Sequence, residues 1–266
     1  MPESPPDGVG PIRYLEYRDG SVDQVSGAVI DERPVCIFVN GRELVTLLCT
    51  PSDLEDLAVG FTFSEGVIDG INDIEVMSVS AGLTCVDLWL RDRDFEPPTR
   101  RIITSGCGGG VTFDDTETML ARHERLGLGV TVAPSQVSRL MREVLRSADL
   151  YNTARGIHTS ALSDGESVVL VAQDVGRHNT IDRLAGRALR EGVSTEGAIL
   201  LTSGRITSEM LAKAARMRAP VAISRTSPTG LSVELATAWN ITLIGYARGT
   251  GFRVYSAPER IDFESG

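Results

Sequence analysis

The sequence has few cysteines, few aromatic residues and no long apolar run. Its 266 residues include four cysteines and 5% aromatic residues, and no two cysteines have the C-x-x-C spacing of zinc knuckles and zinc ribbons. No apolar stretch has the length that a membrane-spanning helix needs, and the first residues, MPESPPDGVGP, lack a basic and apolar leader. These absences predict a soluble, cytoplasmic protein that has no membrane partner and no metal site.

Acidic residues outnumber basic ones, since 36 aspartates and glutamates against 26 lysines and arginines give a formal net charge of -10. Nucleic-acid backbones are bound by clustered basic side chains, so a nucleic-acid partner is not predicted. The second half of the chain is locally basic and could bind a small anion. Its basic residues include Arg205, Lys213, Arg216, Arg218, Arg225, Arg248 and Arg253. We interpret Lys213, Arg216 and Arg218 as part of solvent-exposed helix faces.

The four cysteines differ in their sequence surroundings. Cys36, Cys49 and Cys85 lie in the apolar runs PVCIFVN, LVTLLCT and LTCVDLWL, where a free cysteine acts as a small core residue. Cys107 lies in TSGCGGGV, between glycines that cannot cover its sulfur and that let the backbone approach another molecule. We therefore predict that Cys107 is a reactive thiol. Such a thiol can attack a carbonyl or carry sulfur as a persulfide, and the pattern alone does not choose.

Hydrophobic periodicity predicts an α/β protein with a smaller β-rich part at its N-terminus. The expected organisation is a disordered tail over residues 1–11, a β-rich N-terminal domain with one helix over 12–100, a glycine-cysteine loop and connector over 101–133, and an α/β domain over 134–262. In the last domain strands and helices alternate from about residue 158 through residue 247.

Capping patterns predict where several helices begin and end. Ser52 and Glu55 have the spacing of a capping box for the first helix. Ser135 is the predicted cap of the helix in PSQVSRLMREVLRSA. In the α/β block one helix is expected to begin near Asn179 and to end before Gly192.

Polar loops follow three of the predicted strands, with the sequences AQDVGRHNT, TSGRITSE and SRTSPTG. Open α/β sheets bind ligands where strands lead into helices, and helix N-termini favour anions. The candidate binding residues in the first two loops are Asp174, Arg177, His178, Ser203 and Arg205. Ser203 and Thr207 can also be helix caps. Because no Walker motif and no strand-linked G-x-G-x-x-G is present, an ATPase or an NAD enzyme is not predicted.

His178 has two interpretations. A histidine beside a cysteine can lower the pKa of the thiol and hold a thiolate, which would make it a partner of Cys107. Alternatively, His178 opens the helix that begins near Asn179 and makes only local hydrogen bonds. The sequence spacing leaves both interpretations open.

The chain carries five separated motifs, which are GFTFSEGVI, SGCGGG, QDVGRHNTIDRLAG, TSGRITSEML and LIGYARGTGFRVY. In sequence and in order they resemble the formate dehydrogenase accessory sulfurtransferases, the FdhD family, from about residue 12 to residue 262. The resemblance implies a cytoplasmic, homodimeric sulfur carrier. Such a carrier takes persulfide sulfur from a cysteine desulfurase and delivers it to the Mo-bis(molybdopterin guanine dinucleotide) cofactor of formate dehydrogenase.

The same resemblance implies a fold and a set of site residues. The C-terminal domain should be a cytidine deaminase-like three-layer domain, but the deaminase zinc signature H-x-E with P-C-x-x-C is absent, so no zinc and no deaminase activity are expected. The sulfur-bearing cysteine of the family falls on Cys107. The cofactor-binding stretch falls on Tyr246, Ala247, Arg248, Gly249, Thr250 and Gly251, and guanosine diphosphate (GDP) is the expected mimic of the cofactor.

One departure from the family pattern concerns the number of thiols. Many relatives have C-x-x-C in the glycine-cysteine loop, whereas this chain has Gly110 at the second position. A relay with one cysteine is still chemically sufficient, because a persulfide needs one sulfur anchor and an external acceptor. Because the second cysteine is absent, a non-catalytic chaperone that binds the cofactor and the apo-enzyme remains an alternative function. A cysteine hydrolase using Cys107 and His178 would also need an oxyanion site and a third orienting group, which the sequence does not supply.

Overall fold

The computed structural model describes residues 7–96, 102–103, 111–112 and 116–264, where the chain forms a mixed α/β protein with several sheets, as predicted. The strands are β1 (Val9–Arg18), β2 (Ser21–Ile30), β3 (Arg33–Val39), β4 (Arg42–Cys49), β5 (Ile74–Val79), β6 (Cys85–Leu90), β7 (Ile102–Ile103), β8 (Val111–Thr112), β9 (His158–Ser163), β10 (Val168–Asp174), β11 (Ile199–Thr202), β12 (Val221–Ser224), β13 (Thr242–Arg248) and β14 (Gly251–Ser256). The α-helices are α1 (Leu54–Ser64), α2 (Thr116–Arg122), α3 (Pro134–Arg146), α4 (Asp149–Ala154), α5 (Arg177–Glu191), α6 (Ser208–Arg216) and α7 (Gly230–Trp239). Cys107 and Gly110 lie outside the described residues.

The N-terminal part contains a four-stranded sheet in the order β4-β3-β6-β5. One face of this sheet packs on α1 through alternate apolar side chains, among them the buried Val35, Ile37, Val86 and Leu88. β1 and β2 form a separate antiparallel hairpin. Its first strand begins at Val9, which is buried, so this strand starts within the range predicted as a tail.

A six-stranded mixed sheet organises the second half of the chain in the order β10-β9-β11-β12-β13-β14. β11, β12 and β13 are parallel, whereas β9, β10 and β14 pair antiparallel with their neighbours. Helices α5, α6 and α7 cover one face, where Leu200 and Leu243 are buried, and α3 covers the other, where Ile199 and Ile223 are buried. Because both faces are covered, the parallel strands are continuous apolar runs in the sequence.

Strand β9 is an interior strand that the sequence pattern did not predict. Its sequence, HTSALS, contains three hydroxyl residues. The buried hydroxyl of Ser160 lies 2.6 Å from that of Thr180 and 2.9 Å from that of Thr202. These hydrogen bonds satisfy the hydroxyls in the interior, so a polar sequence can occupy the middle of the sheet.

Two predicted helix caps are wrong. Asp53, not Ser52, precedes α1; its backbone is left-handed, with a φ of 43°, and its side chain makes no capping hydrogen bond. Ala133 precedes α3, and Pro134 takes the first helical position, where its missing N–H costs nothing. Ser135 therefore lies inside the helix.

Helix α5 begins slightly earlier than predicted and ends where predicted. It starts at Arg177 rather than near Asn179, so His178 lies in its first turn. Gly192 follows its last residue with a left-handed φ of 70°, which confirms the predicted glycine stop. Thr207 precedes α6, but its side chain makes no capping hydrogen bond.

Helices α1 and α5 cross in direct backbone contact, and this crossing joins the four-stranded sheet to the six-stranded sheet. A Cβ atom at Gly60 of α1 would lie 1.7 Å from the carbonyl oxygen of Asp182, and one at Gly186 of α5 would lie 1.9 Å from that of Asp56. Packed helices are ordinarily about 8–10 Å apart, depending on the side chains at the contact. Here the two glycines remove those side chains, so no larger residue fits at either position.

A buried ion pair lies at the junction between α1 and α5. Asp174, at the end of β10, is fully buried and accepts hydrogen bonds from Nε and Nη2 of Arg183 at 2.9 and 2.6 Å. Arg183 also donates to the carbonyl oxygens of Thr50, Ser52 and Asp53. Burial is the largest influence on Asp174 and raises its pKa, while the guanidinium of Arg183 opposes that shift. The pair thus connects the end of β10 to the segment before α1.

Lys213 and Arg216 do not lie on a solvent-exposed helix face, which corrects that prediction. Lys213 is buried, and its Nζ lies 2.6 Å from both carboxylate oxygens of Asp182 on α5. Arg216 donates to two backbone carbonyl groups at and after the end of α1. Arg218 is solvent-exposed, as predicted. The helical pattern could not reveal the buried carboxylate on α5 that pairs with Lys213.

We expect Arg183→Met to destabilise the protein by about 3–5 kcal/mol, because it leaves the buried carboxylate of Asp174 without its cation. Burial already raises the folded-state pKa of Asp174, and loss of the Arg183 guanidinium should raise this pKa further. A carboxyl group with a raised folded-state pKa favours the folded state at low pH, and this contribution is lost as the pH rises through that pKa. The deficit relative to wild type in urea unfolding should therefore shrink as the pH is lowered from neutral. Arg187→Met, on the same helix but part-exposed, is the control. A deficit that grows on acidification contradicts the assignment.

Candidate functional site

Loops at one edge of the six-stranded sheet carry most of the predicted site residues. The parallel strands β11, β12 and β13 all end at this edge. The antiparallel strand β9 begins there, because Thr202 pairs with Ser160 and Asp174 pairs with His158. The sheet topology thus brings together the start of β9 and the loops that follow β10, β11, β12 and β13.

Two adjoining cavities lie between this edge and α3, with volumes of about 60 and 220 Å³. Leu145 of α3 and Arg225, which follows β12, line both, and we call the two cavities together the edge groove. The other polar side chains that line it are Ser138, Arg142, Tyr151, His158, Thr159, Ser203 and Arg248. None of the described residues that line it is acidic. In a chain with a net charge of -10 this groove is a locally basic site.

Three arginines from different elements give the edge groove its positive charge. Arg142 projects from α3, Arg225 follows β12 and Arg248 ends β13. The Nε of Arg248 donates a hydrogen bond to the carbonyl oxygen of Arg225 at 2.9 Å, which holds these two residues side by side. Guanidinium groups bind phosphate oxygens through paired N–H donors, so this arrangement suits a phosphate or diphosphate.

The predicted cofactor-binding stretch forms the tip of the β13-β14 hairpin. Arg248 pairs with Gly251, and Gly249 turns the chain with a left-handed φ of 60°. Arg248, Gly249 and Gly251 line the edge groove, whereas the exposed Thr250 is not among the described lining residues. The tip is thus open to solvent on one side and to the groove on the other.

Tyr246 and Ala247 lie just before this tip, where the hairpin has an irregular register. Ala247 is buried and lines the edge groove. Tyr246 has a left-handed φ of 55°, a conformation that is uncommon for a residue with a side chain. Its ring is exposed and does not line the groove, and the guanidinium carbon of Arg253 lies 4.3 Å from the ring centroid. Tyr246 therefore presents its ring beside the groove.

His158 is a groove residue that the sequence analysis did not single out. Burial lowers the pKa of His158, and the nearby Arg177 and His178 lower it further, so its imidazole is neutral at pH 7. Its Nδ1 lies 3.4 Å from Oγ of Ser203, which accepts a hydrogen bond from the N–H of Thr159 at 3.0 Å. The side chains of Ser203 and His158 thus form a polar wall of the edge groove. Prediction of strand β9 would have placed His158 at this edge.

The other candidates from the loops after β10 and β11 do not line the edge groove. Asp174 is held by Arg183 in the α1-α5 junction. Arg177 is buried and packs closely on Gly204: a Cβ atom added to Gly204 would lie 3.0 Å from the Cβ of Arg177. Arg205 is exposed. The structure therefore brings together Ser203 and the hairpin tip, but not these three residues.

His178 is buried at a separate place. Its Nε2 lies 3.1 Å from a carboxylate oxygen of Glu209 and 3.2 Å from the hydroxyl of Thr207. The cavity that it lines has a volume of only about 10 Å³. These local contacts favour the structural interpretation of His178. Its predicted contact with Cys107 stays a prediction, because Cys107 lies outside the described residues.

The described cysteines are not alike. Cys49 is buried, and burial together with the carboxylate of Asp174 raises its pKa to about 12, so it is an inert thiol. Cys36 and Cys85 are free and only partly buried, which corrects the prediction that they are core residues. Over the described ranges, no group of three or more His, Cys, Asp or Glu side chains is arranged to hold a metal ion. No helix in the same ranges has both the length and the apolar character needed to cross a membrane.

Comparison with known proteins places this chain in a family. The sequence profile of the FdhD/NarQ family matches residues 30–262. The chain is 36% identical over 265 residues to the sulfur carrier protein FdhD of Bacillus subtilis, covering 96% of this chain and 98% of that one. It is 37% identical over 257 residues to the protein of the same name from Bacillus licheniformis, covering 94% and 96% of the two chains.

A solved structure shows the same fold. The crystal structure of a proposed formate dehydrogenase accessory protein from Desulfotalea psychrophila superposes with a TM-score of 0.81 and 27% identity, covering 96% of this chain and all of that one. The sequence similarities and the shared fold thus agree on one family. The chain belongs to the FdhD/NarQ family.

Proposed function

We propose that this protein is a cytoplasmic sulfur carrier required for formate dehydrogenase activity. In this proposal Cys107 accepts persulfide sulfur from a cysteine desulfurase and passes it to Mo-bis(molybdopterin guanine dinucleotide), which is bound as a substrate before its insertion into formate dehydrogenase. The observation that carries the proposal is the basic edge groove beside the hairpin tip at Arg248, in a chain whose relatives are named sulfur carrier proteins.

The proposed loading step needs one thiol. The thiolate of Cys107 attacks the outer sulfur of the donor persulfide, a new sulfur–sulfur bond forms on Cys107, and the donor cysteine leaves as a thiolate. The step needs no oxidant, because the sulfane sulfur keeps its oxidation state and only moves from the donor cysteine to Cys107. A second loop thiol is not required, which is consistent with Gly110 at that position.

The edge groove is the proposed site for one nucleotide end of the cofactor. Arg142, Arg225 and Arg248 offer donors to the diphosphate, and the larger cavity beside them offers Ser203 and the neutral His158 to a heterocyclic base. Both cavities together are of the size of a nucleotide rather than of the whole cofactor, so the remainder would lie across the hairpin tip. GDP is accordingly the probe for this site.

We also propose a specific fold for the second half of the chain. The order of the six-stranded sheet, the antiparallel β9 and the helices on both faces support a cytidine deaminase-like three-layer domain. The sequence has no deaminase zinc signature, so we propose no deaminase activity. We further propose, from the family resemblance, that the protein is a homodimer.

We expect millimolar GDP to raise the thermal midpoint of the wild-type protein by about 2–4 °C, because a ligand that binds only the native state stabilises it by mass action. Arg142→Ala and Arg248→Ala should each remove most of this shift, since each removes a phosphate donor. Arg146→Ala is the matched control, because Arg146 lies one turn after Arg142 on α3 and is not among the described residues that line the groove. An unchanged wild-type midpoint, or an equal loss in the Arg146 variant, contradicts the site.

A cofactor chaperone without sulfur transfer is the second candidate function. Gly110 in place of a second loop cysteine favours it, and the edge groove alone would suffice for it. The two functions differ in whether formate dehydrogenase activity needs the thiol of Cys107. The hydrolase alternative loses support, because His178 is held by Glu209 inside a cavity too small for a substrate.

A further inference from the structure

Cys36 and Cys85 are direct neighbours on adjacent strands. Strands β3 and β6 run parallel, and their register pairs Cys36 with Cys85. The N–H of Cys36 donates to the carbonyl oxygen of Thr84 at 2.8 Å, so the strands are hydrogen-bonded at this position. Neighbouring strands lie about 4.8 Å apart, which is within the range of about 4.4–6.8 Å that a disulfide spans between Cα atoms.

The two sulfurs point to the same open face of the sheet. Val35, Ile37 and Val86, which flank the two cysteines along their strands, are buried against α1. Side chains alternate along a strand, so Cys36 and Cys85 point away from α1. Both are free and partly exposed, whereas Cys49 is fully buried.

We propose that Cys36 and Cys85 form a redox-active dithiol that a peroxide converts into a reversible disulfide. The first thiolate attacks a peroxide oxygen and becomes a sulfenic acid, and one water leaves once a proton is taken up. The second thiol attacks that sulfur, the sulfur–sulfur bond forms and a second water leaves. The two sulfurs together lose two electrons, which reduce the peroxide. A small dithiol reverses the reaction by thiol–disulfide exchange.

A hydroxyl donor beside Cys36 indicates which thiol reacts first. The hydroxyl oxygen of Thr46 lies 3.3 Å from the sulfur of Cys36 and 2.8 Å from a carboxylate oxygen of Glu43. The Thr46 hydroxyl can donate its one proton to either partner. When it donates to the sulfur of Cys36, the hydrogen bond favours the thiolate that attacks the peroxide. Thr46 acts as a positioning residue for the attack by Cys36.

The geometry favours a labile bond over a permanent one. Relaxed disulfides hold their Cβ atoms about 3.8 Å apart, which is closer than the strand spacing of about 4.8 Å. Closing the bond therefore needs a local backbone adjustment at the two cysteines, and disulfides that store such strain are the more easily reduced ones. The pair therefore responds to redox conditions rather than permanently cross-linking the N-terminal sheet.

The test uses the full chain in a Cys107→Ala background, so that its outcome is independent of sulfur transfer. The protein is treated with a modest excess of hydrogen peroxide, alkylated with iodoacetamide and digested with trypsin and endoproteinase Glu-C. Glu-C is needed because residues 43–91 contain no lysine or arginine before Arg91, so trypsin alone leaves Cys49 and Cys85 in one peptide. We expect a cross-linked peptide pair containing Cys36 and Cys85, about 2 Da lighter than the two thiol peptides, and its loss after dithiothreitol.

Three variants make the result specific. Cys36→Ser and Cys85→Ser should each give no cross-link, and Thr46→Val should keep both thiols but close the disulfide several-fold more slowly. Cys49 should be alkylated only after denaturation, as the internal control for an inert thiol. The proposal is overturned if Cys36 and Cys85 stay alkylatable after peroxide, if either is oxidised to a sulfinic acid without a cross-link, or if the disulfide joins two copies of the chain. An unchanged rate in Thr46→Val overturns the role of the Thr46 hydroxyl.

Discussion

Gly60→Val should leave the chain unable to form a stable native state, with a loss of more than about 5 kcal/mol in the free energy of unfolding. The added Cβ would lie 1.7 Å from the carbonyl oxygen of Asp182, which belongs to the backbone of α5 and cannot rotate away. Relief would require α1 and α5 to separate, and that would disrupt the ion pairs and apolar contacts between the two sheets. Gly186→Val should have the same effect, because its Cβ meets the carbonyl oxygen of Asp56 on α1.

The measurement is urea unfolding of the purified variants, with soluble yield as a second readout for variants that fail to fold. Gly230→Ala is the matched control, since Gly230 is also a helix glycine but a Cβ there meets nothing within 4 Å. It should leave stability unchanged or raise it by up to about 1 kcal/mol, because alanine favours helix. A Gly60→Val protein within about 1 kcal/mol of wild type would mean that the two helices are not in backbone contact.

The sequence predicts the elements of the second half better than it predicts their ends. Each strand–helix alternation from β10 to β13 has an apolar pattern, and Gly192 stops α5 where expected. The caps at Ser52 and Ser135 failed because a hydroxyl residue before a helix is common whether or not it bonds a free N–H. Strand β2, in which polar residues and a glycine interrupt the apolar ones, and strand β9, in which three of six residues carry hydroxyl groups, have a weak pattern.

The sequence gives a hint of the α1-α5 junction but does not determine it. A glycine inside a helix costs about 1 kcal/mol relative to alanine, so Gly60 and Gly186 each require a packing reason. Which helices meet is a property of the tertiary fold. The partners of Asp174 and Lys213 are equally invisible in the sequence, because Arg183 and Asp182 lie on α5 among other charged residues that face different neighbours.

The candidate site was predicted in outline. Open sheets bind ligands in loops at the carboxyl ends of their strands, and this rule selected two loops whose residues Ser203 and Arg225 line the edge groove. Arg248, which also lines it, was predicted from the family resemblance. The groove wall on α3 was missed, since Arg142 lies in an ordinary amphipathic helix whose exposed face gives no sign of a ligand. Asp174 and His178 were selected for their residue types, and both are engaged in buried contacts.

Cys107→Ala should fold like the wild type and leave formate dehydrogenase inactive in a strain that lacks the native protein, a loss of essentially all activity. Because Cys107 lies among glycines in the sequence, we expect it to contribute little to the core, so its removal should affect chemistry and not stability. Cys36→Ala and Cys85→Ala are the matched controls, because each removes a partly exposed thiol outside the proposed carrier loop. Full formate dehydrogenase activity with Cys107→Ala would assign the protein to the cofactor-chaperone class.

Intact-protein and peptide mass spectrometry after incubation with a cysteine desulfurase and cysteine tests the central claim most directly. Without a reductant, the wild-type chain should gain about 32 Da, one sulfur atom, and the gain should be found on the peptide that spans residues 102–122 and contains Cys107. The Cys107→Ala chain should gain nothing, while the variants at Cys36 and Cys85 should load as wild type does. An unloaded wild-type chain, or sulfur on Cys36, Cys49 or Cys85 instead of Cys107, would contradict the proposal that this thiol carries the sulfur.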